Sequence, residues 1–371
     1  MVLFRCDSVY QLVNAVQIKI SLLREEAADL ILSDHTDFSD IAERLAAQKI
    51  FRRVYRLASR EDARAYWELS EDQRRKISLE PETFADISYL EEDYTDFYLS
   101  FDTAYAKLMY YAMIRRGMDV AVHLFEDGMA TYICDVEKRC EEDGMDHRSY
   151  GQASFLNSIS ELLLYEPDLF TGPRLPFFIC PIPKIDAGSE QICRLFSSVF
   201  GTAVLPEQKY IFLEEAFVDD NIPCNDLELC LCLEEIVGKE NLIVKLHPRN
   251  RTDRFTPYGF QVMKQSNVPW EMVLLTGDIS KKILFTVSSN ASITSKLIFQ
   301  KKMNAVLLYR MFMGKTWLMA NRNFEASHKK AVAKFNEKRK CVYTPHSMDE
   351  VKETLKYIGG LERIERTEAV L

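Results

Sequence analysis

Short apolar runs alternate with longer amphipathic stretches along most of the chain, the pattern of buried strands separated by covering helices. In the first half "VLFRC", "ADLILS", "FRRVYRL", "FYLSF" and "MDVAVHLF" predict strands, and helices are expected over 8–22, 38–47 and 103–116. Strands spaced by helices pair in parallel through crossover connections. Four of the twelve prolines fall in "TGPRLPFFICPIPKIDAG", residues 171–188, which interrupts the alternation and marks a passage between two domains. Beyond it the alternation resumes with "KYIFLEEAF", a helix over about 226–237, "NLIVKLHP", "KILFTVSS", a helix over about 290–299, and "NAVLLYR".

The chain has 371 residues, too long for one ordinary core. The expected fold class is therefore α/β: two doubly wound Rossmann-type domains, 1–180 and 181–371, facing a central cleft. Ligands of such sheets sit beyond the carboxyl ends of the strands. Residues just after a strand are the ones to inspect for chemistry.

Composition narrows the partners. A formal net charge of −9 disfavours a nucleic-acid partner. Nine scattered cysteines fit a reduced, cytosolic protein, and the closest set, Cys224, Cys230 and Cys232, lacks the Cys-x-x-Cys spacing of a zinc site and reads as buried thiols. The N-terminal segment, broken by Arg5 and Asp7, reads as neither a signal peptide nor a membrane span. With no Gly-x-Gly-x-x-Gly, Walker or Asp-x-Asp pattern, dinucleotide and P-loop chemistry is disfavoured and a metal-independent mechanism is expected.

Three constellations follow predicted strands. In "NLIVKLHPRN", Pro248 holds His247 extended at a strand end, where its imidazole can neutralise or protonate a phosphate leaving group; a strand-capping histidine is the equal alternative. In "KILFTVSSN", Ser288 and Ser289 precede a helix whose free N–H groups can hold an anion, with plain helix capping as the alternative. Following consecutive strands of one sheet, the two motifs are expected to converge on a single phosphate. In "HLFEDGMATY", Glu126 and Asp127 end a strand of the first domain and Gly128 permits a tight turn, so a carboxylate there can take a proton from an acceptor hydroxyl. A second copy, Glu142-Asp143-Gly144, follows no strand and reads as a solvated loop. Asp219 and Asp220 are a rival pair for the base, or a surface turn. The basic run 328–340, with Lys329, Lys330, Lys334, Lys338, Arg339 and Lys340, is either a solvated helix face or a contact for an anionic glycolipid or the inner membrane surface.

Taken in order, the acidic-acidic-Gly motif, His-Pro, and a Ser pair some forty residues later resemble the bacterial sialyltransferases, in detail glycosyltransferase family 52, the lipooligosaccharide sialyltransferases. The opening "CDSVYQLVNAVQIK" is similar to the start of those enzymes. The resemblance implies a GT-B-like fold, CMP-sialic acid as donor, inversion without a metal or other cofactor, a terminal galactose of a lipooligosaccharide or capsule as acceptor, and a homodimer. It gives His247 and Pro248 to the CMP phosphate, Ser288 and Ser289 to the same phosphate, and Glu126, Asp127 and Gly128 to the acidic motif. The base is then the first acid of that motif, or Asp219 or Asp220. Another nucleotide-sugar donor, or a non-catalytic nucleotide- or glycan-binding protein, are the competing expectations.

Overall fold

The structure, a computed structural model, describes residues 1–100, 103–141, 154–250, 252–263 and 268–368. The chain folds as two compact units, Met1–Ile185 with Ser198–Phe200, and Asp186–Ser197 with Gly201–Leu371.

Unit 1 contains strands β1 (Val2–Cys6), β2 (Ala28–Ser33), β3 (Val54–Leu57), β4 (Asp96–Leu99), β5 (Ala121–Phe125), β6 (Ile159–Leu164) and β7 (Phe178–Pro181). They form one parallel sheet in the order β3-β2-β1-β4-β5-β6-β7. β1 and β2 are buried along their whole length, which is why they read as near-continuous apolar runs. Arg5 in β1 and Asp29 in β2 are the exceptions, charged residues within buried strands. The helix Val9–Ser21 begins where Ser8 caps it, its side chain accepting from the Gln11 amide. The proline-rich passage carries β7 as the edge strand, where missing amide donors are tolerated.

Unit 2 contains β8 (Tyr210–Leu213), β9 (Leu242–Lys245), β10 (Gln261–Val262), β11 (Ile283–Thr286), β12 (Ala305–Leu307) and β13 (Val342–Tyr343), all parallel, in the order β10-β9-β8-β11-β12-β13. One face buries Phe212, Leu242, Val244, Ile283 and Phe285 under Leu229, Cys230 and Leu233 of the helix Asp226–Val237 and Val351 and Ile358 of the helix Met348–Glu368.

Both sheets thus have the doubly wound Rossmann strand order. Direction reverses between β1 and β4 in unit 1 and between β8 and β11 in unit 2. The carboxyl ends at those two points are where such sheets receive ligands.

Candidate active site

In unit 1 the acidic motif leaves β5 as expected, and Gly128 takes φ 80°, a backbone conformation open to glycine. The two acids are then separated by their surroundings. Glu126 is fully buried: Tyr10 Oη donates to it at 2.7 Å, the Tyr165 amide at 3.0 Å, and Tyr132 Oη also donates to it. Its carbonyl accepts from Asn14 Nδ2 at 2.9 Å. Burial pushes its carboxyl pKa up, against the pull of those donors. Enclosed in this way, it braces the turn and is closed to a substrate.

Asp127 is half-buried and accepts one side-chain bond, from Gln11 Nε2 at 3.0 Å. Burial raises its pKa, and the nearby Asp7 adds to the effect. A carboxyl raised in this way is better matched to accepting a proton near neutrality. Gln11 also ties it to Asp7, whose amide donates to Gln11 Oε1 at 2.6 Å. Glu142, Asp143 and Gly144 lie outside the described residues.

In unit 2 His247 follows β9, and Ser288 and Ser289 follow β11. The expectation of adjacent strand ends fails, because β8 lies between them. Two strand spacings put roughly 9–10 Å of sheet between the motifs. Glu214 and Glu215, at the end of β8, fill that interval. Glu214 is buried and accepts from the His247 amide at 2.9 Å and from Arg254 Nη2 at 3.0 Å. Arg254 is held in turn by Asp226, at 3.1 and 2.6 Å. The His247 backbone is thus fixed from behind by a carboxylate that shares one guanidinium with Asp226.

Glu215 takes the other side. Its carboxylate accepts from the Ser288 amide at 2.6 Å, Ser288 Oγ at 3.0 Å, the Ser289 amide at 3.1 Å and Thr286 Oγ1 at 2.9 Å. The N–H groups expected to hold a ligand's phosphate hold this carboxylate instead. Ser289 Oγ is the helix cap, accepting from the Ala291 amide at 3.3 Å. The expected helix over 290–299 is a 3-10 turn, Asn290–Ser292, followed by the single turn Thr294–Leu297.

His247 is half-buried, and its pKa falls to about 4 through burial first, then through Arg249 and Lys245. With its pKa lowered in this way the imidazole is neutral at pH 7, and it is the donating form of the ring that the structure holds. Its Nδ1 accepts from the Arg249 amide at 3.2 Å, so the ring hydrogen belongs on Nε2. Pro248 is exposed, and the turn closes where the Asn250 amide donates to the His247 carbonyl at 3.0 Å. Asp219 and Asp220 are exposed on the turn after β8, close enough that their charges oppose the fall in the His247 pKa. Asp220 is engaged by Arg249 at 2.7 and 3.1 Å.

Two further expectations change. Cys230 is buried, but Cys224 is half-buried and Cys232 exposed. The run 328–340 is only in part a solvated face: His328 packs 4.0 Å from Phe324, centroid to centroid, and Arg339 donates to the Met303 carbonyl. Among the described residues no helix is long and apolar enough to cross a membrane, and no three His, Cys, Asp or Glu side chains are grouped to hold a metal ion.

No family model and no curated protein matches the chain. Solved structures do resemble it. An α/β-galactoside α-2,3-sialyltransferase from Photobacterium phosphoreum aligns over 92% of this chain and 97% of its own, at 11% identity and a TM-score of 0.48. A UDP-GlcNAc 2-epimerase from Neisseria meningitidis aligns over 98% and 92%, also at 11% and 0.48. Arabidopsis thaliana UGT89C1, complexed with UDP, aligns over 95% and 88%, at 12% and 0.48. At such identities and scores none of the three bears on chemistry.

Proposed function

We propose that the chain is an inverting, metal-independent glycosyltransferase that moves a sialyl group from CMP-sialic acid to a terminal galactose of a cell-surface glycan. The observation that carries the proposal is His247. It stands beside the switch point of unit 2, held from behind by Glu214, with Nδ1 engaged and Nε2–H left to donate.

In the proposed reaction unit 2 holds the donor and unit 1 the acceptor. The acceptor hydroxyl attacks the anomeric carbon as the bond from that carbon to the phosphate oxygen breaks. His247 Nε2–H donates to the departing phosphate, and the negative charge brought by the donor raises the imidazole pKa, favouring protonation when it is useful. Asp127 takes the hydroxyl proton. Glu126 shapes the turn that presents Asp127. With the Ser288 and Ser289 amides on Glu215, that pair reaches the phosphate only if Glu215 yields them.

His247→Ala is expected to lower turnover by roughly two to four powers of ten, measured with CMP-sialic acid and a galactoside. Activity near wild type would remove His247 from the mechanism. Calorimetry with CMP, UMP and GMP tests the donor site: preference for CMP supports the proposal, and preference for UMP or GMP redirects it to another nucleotide sugar. CMP binding without turnover on any acceptor would favour a non-catalytic binding protein.

A further inference from the structure

We infer that Gln11 is a positioning residue for Asp127: it fixes one oxygen of that carboxylate and leaves the other open to an acceptor hydroxyl. The inference rests on Asp127 being the proton acceptor of the proposed reaction. The first turn of the helix Val9–Ser21 grips the acidic motif residue by residue. Tyr10 Oη donates to Glu126 Oε1 at 2.7 Å, Gln11 Nε2 to Asp127 Oδ2 at 3.0 Å, and Asn14 Nδ2 to the Glu126 carbonyl at 2.9 Å. The Asp127 amide is tied separately, donating to Thr131 Oγ1 at 2.9 Å. Asp127 Oδ1 accepts no hydrogen bond among the described residues and is not shut away from solvent, so it is the oxygen available to a substrate.

The Gln11 side-chain amide can be oriented only one way. Its Oε1 accepts from the Asp7 amide at 2.6 Å, and a backbone N–H can only donate, so the NH2 end must face Asp127. The helix starts Ser8-x-x-Gln11, the spacing of a capping box, in which a Gln or Glu side chain turns back to the backbone at the helix start. Glutamate would serve that role equally and would gain from the helix dipole, yet the first turn holds no acid. Glutamine differs in carrying a donor, and the donor goes to Asp127. Capping alone leaves that choice unexplained. The surrounding charges make the donor matter. Burial and then Asp7 raise the Asp127 pKa, Arg139 lowers it, and the Cys6 thiol is held uncharged by its own burial. Asp7 is matched by Arg5 Nη1 at 2.7 Å. The Gln11 hydrogen bond is the strongest influence keeping Asp127 ionised against burial.

The test follows the Asp127 carboxyl by 13C NMR in the full chain labelled at aspartate, with its resonance identified by its loss in Asp127→Asn. Gln11→Glu keeps the side-chain length and the acceptor for the Asp7 amide and loses the donor, so it should fold; Gln11→Met removes both bonds. In each folded variant the Asp127 pKa should rise by about one pH unit, because the charged form has lost its donor. An unchanged Asp127 pKa in folded Gln11→Glu would overturn the role of Gln11, whatever the activity does. Transfer from CMP-sialic acid is scored separately. The acid limb of kcat/KM should move to higher pH by the same amount, and kcat should fall about tenfold with the acceptor KM little changed. A raised Asp127 pKa with an unmoved acid limb sinks only Asp127 as the proton acceptor.

Discussion

Glu126 and Asp127 are adjacent in sequence and opposite in circumstance. Glu126→Gln removes an acceptor oxygen from a buried site with three donors, so it should destabilise the fold by about 1–3 kcal/mol, read from denaturant unfolding. Asp127→Asn should unfold like wild type and lose most turnover. The reverse pattern would exchange their roles. The motif was legible because it follows an apolar run. Which acid is enclosed was not, since Tyr10 and Tyr165 meet Glu126 from distant segments. Glu214 and Glu215 obey the same rule in "YIFLEE", standing directly after an apolar run, nearer the strand than Asp219 and Asp220. Arg5 also carried a signal, a charge inside a run of otherwise apolar strand residues.

At the scale of elements, the loops after β8 and β11 are joined through one carboxylate. Glu215→Ala leaves the Ser288 and Ser289 amides without their acceptor and opens an anion cradle. Inorganic phosphate should then raise the melting temperature of this variant and not that of wild type. The same shift in both would mean that phosphate binds elsewhere. The helix Phe324–Asn336 gives a pH prediction, because burial lowers the His328 pKa to about 4, below an unfolded value of about 6.5. The unfolded chain takes up that proton first. Stability from this group is therefore complete above pH 6.5 and declines as pH falls toward 4, by up to about 3 kcal/mol. His328→Phe should flatten that part of the stability profile; an unchanged slope would show that His328 is not held neutral.

At the scale of the molecule, the alternation of apolar and amphipathic stretches was enough to predict two parallel, doubly wound α/β units. β1 and β2 coincide with the predicted runs because both faces of each are covered. β6 escaped prediction, and β7 was hidden in the proline-rich passage that reads as a linker. Strand order was the larger omission: sequence places β9 and β11 as successive apolar runs, whereas parallel crossovers put β8 between them. That order makes Glu214 and Glu215 the bridge between His247 and the serine pair.

The most direct test of the central claim is a mass-spectrometric donor screen of the full chain, offering CMP-sialic acid, UDP-sugars and GDP-sugars with galactoside acceptors in the presence of a chelator. The account predicts a sialylated product from CMP-sialic acid alone, lost in His247→Ala. A product formed only from UDP- or GDP-sugars, or none from any donor, would contradict it.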